Sequence, residues 1–306
     1  MALSGRCSMA LLALMTFIVF SVAAVLFYLG KYNDKSPMTD FYNHSVPLYG
    51  YEKFRLEITP CWWTWWVWVA VFGWQLQWIF YSFILPCRKH PPRVFSMSFF
   101  IIVSLGFGLI AGWVLLWARE FIEAAFGLMA GASLCMYISL AIIFYRAKDL
   151  YETTKRFPNG DHLAIQLFLI NGLALFASWT TYSAFLHLGI VFRYSVKMDD
   201  HIATTIVLAG LSAVLFFWFM LDNFVFHDYT IYTFTVYPVM LVAFTGTFAV
   251  FWDKNERNSI FNVVLLGVSG LLAILKIIFM ICRTCLRRKR QRSHVVTEEQ
   301  YDMNIY

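Results

Sequence analysis

The sequence predicts an all-α membrane protein, a multi-pass transmembrane helix bundle with about eight spans. Of the 306 residues, 60% are hydrophobic and only 14% are charged, whereas soluble domains carry about 25% charged residues. Apolar runs long enough to cross ~30 Å of hydrocarbon recur along the whole chain. Seven of the twelve tryptophans fall between Trp62 and Trp78, and indole rings suit the boundary between headgroups and hydrocarbon.

The predicted bundle occupies residues 1–286, and residues 287–306 form a basic, then acidic, cytoplasmic tail that we expect to be disordered. In the first span an apolar run from Ser8 to Gly30 follows Arg6. This run is longer than the 7–15 apolar residues of a signal peptide, so a retained signal anchor is expected. Cleavage remains the alternative, and it leaves seven spans with an outside N-terminus. The predicted spans are 8–30, 61–85, 97–118, 124–145, 163–192, 202–222, 231–252 and 259–282.

Both termini are predicted to be cytoplasmic. With this orientation the connections hold 14 Lys and Arg residues on the inner side and 9 on the outer side. The sequon Asn43-His44-Ser45 then lies outside, so Asn43 is a candidate N-glycosylation site. Membrane lipids are the first partners, and the predicted location is the plasma membrane or a secretory-pathway endomembrane.

The net charge of +6 does not indicate nucleic-acid binding, because six basic residues follow the last apolar run directly. Such a juxtamembrane cluster binds anionic lipid headgroups. Cys282 and Cys285, at the inner end of the last span, are candidates for S-acylation. Their spacing also resembles that of a redox or metal pair, which is the less favoured interpretation. The headgroup contacts are assigned to Arg287, Arg288, Lys289 and Arg290.

In the second span, Trp65, Trp68, Phe72 and Gln75 recur at three- and four-residue steps and share one helical face. This face either packs against other helices or lines a ligand cavity. The fifth span carries Ser178-Trp179-Thr180-Thr181-Tyr182-Ser183. Its hydroxyl groups either bond back to their own helix or form the polar wall of a ligand chamber, in which Trp179 is a stacking surface.

Charged residues inside spans are functional candidates. Lys276 is expected to extend its amine to the inner boundary by snorkelling. Asp222, Asn223, His227 and Asp228 have the chemistry of metal ligands, but a solvated connecting loop is the favoured interpretation. No nucleophile, zinc-protease or phosphate-loop motif occurs. The chain is therefore predicted not to be an enzyme, and no metal or cofactor is assigned.

The second span and its approach resemble the signature of the TspO/MBR-related tryptophan-rich sensory proteins, a Thr-Pro lead-in followed by spaced aromatic residues. Residues Ser178 to Thr181 are similar to a later Trp-x-Thr helix of that family. The resemblance covers residues 58–190 and departs from the family where Cys61-Trp62 replaces a small residue and where Phe72 lacks a hydroxyl. The matching aromatic positions, with their lead-in, are Thr59-Pro60, Trp65, Trp68, Phe72, Tyr81, Trp113 and Trp117.

The resemblance implies an α-helical bundle with an aromatic pocket, as in translocator proteins that bind tetrapyrroles and sterols. The leading hypothesis is therefore a membrane protein that binds or transports a small hydrophobic ligand. A receptor-like seven-span protein is the alternative, and a channel or ion-coupled transporter ranks last because charged residues at mid-depth in the membrane are scarce. Homo-oligomer formation is left open. The candidate ligand-binding residues are Trp65, Trp68, Phe72, Gln75, Trp113, Trp179 and Thr181.

Overall fold

The computed structural model describes residues 3–31, 52–88, 91–154, 160–161, 164–226 and 230–303, with side chains for 6–30, 52–88, 91–147, 160–161, 164–226 and 230–286. The sequon at Asn43 lies outside the described residues. The described part of the chain forms eight α-helices: α1 (Leu3–Lys31), α2 (Trp66–Ile84), α3 (Met97–Ala118), α4 (Ile122–Thr154), α5 (Asn171–Ile190), α6 (Asp200–Met220), α7 (Val236–Phe251) and α8 (Arg257–Met303).

Short turns of other helical types extend three of these helices. A 3₁₀ turn, Trp62–Trp65, leads into α2. Two π-helical segments, Ala164–Ile170 and Val191–Ser195, flank α5, and a third, Leu221–Val225, follows α6. Because a π-turn inserts one residue per turn, it rotates the side chains that follow it relative to the helix before it. The segment after α6 carries Asp222, whose position depends on this rotation.

Seven helical segments are long and apolar enough to cross a membrane, and α7 is a shorter apolar helix. The prediction of an all-α multi-pass membrane bundle is confirmed. Each predicted span overlaps one observed helix. In the seventh span, residues 231–235 form a turn and α7 begins at Val236, whereas α4 and α8 continue well beyond the predicted ends of their spans. We call the end of the bundle with Arg6 and Leu286 the inner end, and the opposite end the outer end, following the predicted orientation.

Helix α5 is the central element of the bundle. It packs against α2, α4, α6 and α7, and 83% of its apolar stretch is buried. Helix α8 is peripheral: it packs on α6 and α7 and buries only 17% of its apolar stretch. The rest of its apolar surface contacts lipid. The polar residues of the fifth span therefore lie in the interior of the protein.

Helix α1 packs into the bundle through specific side-chain contacts. The hydroxyl groups of Thr16 and Ser104 are 2.8 Å apart in a buried hydrogen bond. The ring of Phe27 lies 5.3 Å from the ring of Trp68 and 5.5 Å from that of Phe72. Helix α1 therefore covers the interior faces of α2 and α3.

Residues 52–65, the outer segment, are attached to the outer end of α7. The backbone N–H of Cys61 donates to the carbonyl of Gly246 at 3.0 Å, and the Thr247 hydroxyl donates to the carbonyl of Ile58 at 3.0 Å. A Cβ atom at position 246 would lie 2.2 Å from the Thr64 side chain. Only glycine allows this close approach, which fixes the entry of the chain into α2.

Asn171, at the start of α5, joins that helix to the segment before α7. Its Nδ2 donates to the carbonyl of Tyr232 at 2.7 Å, and its Oδ1 accepts from the backbone N–H groups of Phe234 at 2.9 Å and Thr235 at 3.3 Å. The side chain thereby satisfies backbone groups that precede α7 and have no helical partner.

We expect Asn171→Leu to lower the free energy of unfolding by about 2 kcal/mol, because the substitution leaves several buried backbone groups without a partner. The measurement is detergent-induced unfolding of the purified protein followed by circular dichroism. Asn255→Leu, in an exposed loop, is the matched control and should shift stability by less than about 0.5 kcal/mol. Equal effects of the two substitutions would contradict the assigned role of Asn171.

Lys276 does not snorkel, and this expectation is wrong. Its side chain is 2% exposed, and its Nζ lies 2.6 Å from Asp222 Oδ1 and 2.8 Å from the carbonyl of Thr230. Tyr237 donates its hydroxyl to the other oxygen of Asp222 at 3.0 Å. The amine is neutralised inside the protein by Asp222, in the segment that follows α6, so it does not extend to the membrane boundary.

The solvated loop expected around Asp222 is likewise wrong where it is described, because Asp222 and Asn223 are 1% and 3% exposed. His227 and Asp228 lie outside the described residues. Helix α8 continues to Met303 in the region where a disordered tail was expected. The side chains of the basic tail residues, Arg287 to Arg290, lie outside those described, so their lipid contacts stay a prediction. Cys282 and Cys285 are exposed free thiols at the inner end.

Candidate aromatic binding site

Six aromatic residues from α1, α2, α3 and α5, five of them buried and Phe27 partly buried, form a group that we call the aromatic cluster. Trp68 is at its centre and is 0% exposed. Its ring stacks on Trp113 at 5.4 Å and on Phe72 at 5.8 Å between centroids, and it meets Trp179 edge-on at 6.2 Å. These offset-stacked and edge-on arrangements are the favoured ones for aromatic rings. The members are Phe27, Trp68, Phe72, Trp113, Phe176 and Trp179.

Helix α2 separates its tryptophans between two faces. Trp68 and Phe72 are buried and Trp65 is half-buried on the inward face, whereas Trp66 is 58% exposed on the opposite face. The three- and four-residue spacing therefore places the candidate aromatic residues inside the bundle. Trp66 has the position expected for a lipid-facing ring of the interfacial belt.

Gln75 connects α2 with α5. Its Nε2 donates to the carbonyl of Gly172 at 2.9 Å, and its Oε1 accepts from Trp78 Nε1 at 2.7 Å. The neighbouring Trp74 Nε1 donates to the carbonyl of Leu167 at 3.0 Å. The amide of Gln75 is therefore engaged in helix packing, which the sequence predicted as one of two roles for this face.

Thr181 lies on the face of α5 that meets α4, not in the aromatic cluster. Its hydroxyl is 2.6 Å from that of Ser133 and donates to the carbonyl of Ala177 at 2.7 Å. Ser178 and Thr180 also donate to carbonyls of their own helix. These hydroxyl groups bond to their own helix or to α4, as the packing alternative for the fifth span predicted. Trp179 instead lies on the face of α5 that contacts Trp68.

His187 extends the site toward the outer end and was not predicted as part of it. Trp113 Nε1–H donates to His187 Nε2 at 2.9 Å, and His187 Nδ1–H donates to the carbonyl of Ser183 at 2.7 Å. The His187 ring also packs edge-on at 4.5 Å against Trp117. The sequence signal was a histidine one turn after the hydroxyl run, but its partners come from α3, 74 residues away.

Two indole N–H groups in the aromatic cluster have no acceptor among the described residues. They are Nε1 of Trp68 and Nε1 of Trp179, both inaccessible to solvent. Buried donors are nearly always paired, and leaving one unpaired costs about 1–3 kcal/mol. The cluster therefore presents two unsatisfied donors beside stacked aromatic faces, which is chemistry suited to an apolar ring that carries an acceptor atom.

A surface cavity of about 310 Å³, the outer vestibule, opens between the outer segment and α7. Its half-buried residue Trp65 precedes Trp68 by three residues on the same helical face and so connects the vestibule to the aromatic cluster. The lining residues are Glu52, Arg55, Thr59, Pro60, Cys61, Trp62, Trp65 and Val250.

Beyond Val250 lies a second, acidic cavity of about 280 Å³, lined by Glu57, Asp253 and Glu256 with Phe251, Trp252 and Ser259. Within the described part of the chain, no group of three His, Cys, Asp or Glu side chains is arranged to hold a metal ion. Compared with protein-family models, curated proteins and solved structures, the chain matches none of them.

Proposed function

We propose that this membrane protein binds or transports a small hydrophobic ligand, tetrapyrrole- or sterol-like, at the aromatic cluster between α2, α3 and α5. The observation that carries the proposal is the pair of unsatisfied indole donors, Trp68 Nε1 and Trp179 Nε1, within a buried aromatic group. An apolar site with a few convergent polar groups is typical of small-molecule binding.

Binding requires the aromatic rings to separate. The Trp68 and Trp113 rings are now in contact, with centroids 5.4 Å apart. A flat ligand inserted beside Trp68 replaces one ring contact with another of similar energy, and its acceptor atoms take hydrogen bonds from the indole groups of Trp68 and Trp179. The cost of opening the cluster is thereby offset by new stacking and by satisfied donors.

The resemblance to the TspO/MBR-related proteins supports the same site. Trp68, Trp113 and Trp179 carry that resemblance, lie on three different helices, and meet within one cluster. We propose a distant relationship to the extended members of that family. A binding role is favoured over catalysis, because both ring nitrogens of His187 are already engaged in hydrogen bonds.

A receptor-like protein of seven spans is the alternative function. It requires cleavage near residue 30, which would remove Phe27 from Trp68 and Thr16 from Ser104. The packing of α1 supports retention. N-terminal sequencing of the mature protein separates the two functions, because a start near residue 30 favours the receptor.

Several finer assignments accompany this proposal. We place both termini in the cytoplasm of a cell with a secretory pathway, with a glycan on Asn43 and acyl chains on Cys282 and Cys285. The exposure of both thiols at the inner end supports acylation. Mass determination before and after glycosidase or hydroxylamine treatment tests the two modifications separately.

We expect a porphyrin to quench the tryptophan fluorescence of the purified protein in a saturable manner. The double variant Trp68→Phe with Trp179→Phe keeps two aromatic rings and removes both indole donors. Loss of two hydrogen bonds of about 1 kcal/mol each predicts an affinity about thirtyfold lower. Binding is measured by porphyrin absorbance as well, because the substitutions themselves remove two fluorophores.

Trp66→Phe is the matched control, since this ring is on the lipid-facing side of the same helix. It should leave porphyrin affinity unchanged within about twofold. If the double variant and the control bind equally well, the aromatic cluster is not the binding site.

A further inference from the structure

The outer vestibule has an apolar wall and a rim that carries one cation, Arg55, and one anion, Glu52. Pro60, Trp62, Trp65 and Val250 line its apolar part, and Arg55 lies at its edge. The guanidinium carbon of Arg55 is 4.7 Å from the centroid of the Phe251 ring. This contact holds the planar guanidinium against an aromatic face and leaves its N–H edges available for hydrogen bonds.

Arg55 forms no ion pair with any acid among the described residues. The neighbouring carboxylate of Glu57 is already engaged: one oxygen lies 2.9 Å from His201 Nδ1, and the other accepts from Asn258 Nδ2 at 2.7 Å. Lys53, two residues before Arg55, pairs with Glu120 at 2.6 Å. Lys53 and Glu57 are thus engaged by partners on other elements. Arg55 lines the vestibule together with Glu52 and is paired with no described acid.

We propose that the outer vestibule binds the carboxylate of an amphipathic ligand, with Arg55 as its partner. The flat apolar body of the ligand extends past Trp65 toward the aromatic cluster. A guanidinium makes two parallel hydrogen bonds to a carboxylate, which gives direction as well as affinity. The inference rests on the proposed function and narrows it, because a carboxylate-bearing ring such as a porphyrin fits and a neutral sterol lacks the charge.

The size of the vestibule is consistent with a site that holds only the carboxylate end of the ligand. A volume of about 310 Å³ is at the lower end of the range for small-molecule pockets, ~300–1,000 Å³. It holds the carboxylate and the adjoining part of a ring system, while the remainder of the ring extends past Trp65 toward the aromatic cluster. The carboxylate of Glu52, on the same rim, repels the carboxylate of the ligand. Removal of this negative charge should therefore strengthen binding.

The test compares protoporphyrin IX, which has two carboxylates, with its dimethyl ester, which has the same ring and none. Both are titrated into full-length protein in nanodiscs of neutral phosphatidylcholine. We expect Arg55→Gln to weaken protoporphyrin IX binding about five- to tenfold and to leave the ester unchanged. Arg55→Lys should retain part of the affinity, and Glu52→Gln should increase it. Thermal unfolding checks that each variant is folded.

Other results separate this inference from the proposed function. If wild-type protein binds the acid and the ester equally and Arg55→Gln affects neither, the carboxylate assignment is wrong while the aromatic site stands. If neither probe binds, both proposals fail. Repeating the titration with anionic lipid identifies the source of the bound anion: competition with protoporphyrin IX, absent in Arg55→Gln, shows that a lipid headgroup also reaches Arg55.

Discussion

Lys276→Met is expected to destabilise the folded protein by about 3–5 kcal/mol. The substitution leaves the carboxylate of Asp222 buried without its cation, and both side chains are at most 2% exposed. An unpaired charge in this position has no water to solvate it, and among the described residues Tyr237 alone remains as a donor to the carboxylate. The measurement is the free energy of detergent-induced unfolding in bicelles, followed by circular dichroism.

The double variant Lys276→Met with Asp222→Asn distinguishes a lost ion pair from lost packing. It removes both charges while the amide oxygen introduced at position 222 still accepts from Tyr237, so most of the lost stability should return. Lys254→Met, in the exposed turn before α8, is the matched control and should change stability by less than about 0.5 kcal/mol. If the double variant is no more stable than the single one, the cost has another origin than the orphaned carboxylate.

The buried ion pair between Asp222 and Lys276 could not be predicted from the sequence. Asp222 and Lys276 are 54 residues apart and lie on different helices, so no local pattern joins them. The sequence did contain one indication of this pair: both residues lie near the inner ends of their spans, where two opposite charges can neutralise each other. The π-helical segment Leu221–Val225 changes the direction of the Asp222 side chain, and no propensity rule foretells that rotation.

The spans were predictable because each depends on a long apolar run, which is a local property of the sequence. The inward face of α2 was predictable for the same reason, since helical periodicity places Trp68 and Phe72 together. The assignment of Thr181 to the candidate site depended instead on how α5 is rotated between its neighbours. Helix α5 is buried on nearly all sides, so the pattern of its sequence indicates no preferred direction. In the structure Thr181 faces α4.

The central position of α5 also explains why its hydroxyl residues do not form a polar chamber. Ser178 and Thr180 each donate to a carbonyl three or four residues earlier, which satisfies the hydroxyl without a partner helix. Small, self-satisfied side chains then allow four helices to approach α5 closely. Trp179 and Tyr182 differ from these residues, because each has a buried polar atom without a partner among the described residues. The indole donor of Trp179 lies in the aromatic cluster and is the feature that a ligand can use.

Trp68→Ala is expected to cost about 3–5 kcal/mol of unfolding free energy. The Trp68 ring is fully buried and contacts Phe27, Phe72, Trp113 and Trp179. Its removal leaves a cavity at the junction of four helices, and the surrounding rings lose dispersion contacts that lipid cannot replace. Unfolding in bicelles, followed by circular dichroism, measures this loss independently of tryptophan fluorescence.

Trp66→Ala supplies the comparison within the same helix. Its ring is 58% exposed on the lipid-facing side, so truncation exchanges contacts with lipid and should cost less than about 1 kcal/mol. The difference in unfolding free energy between the two variants reports which face of α2 is buried in the bundle, and the aromatic site depends on that orientation. If Trp66→Ala were the more destabilising of the pair, α2 would present the opposite face to the bundle, and Trp68 would face lipid instead of a ligand.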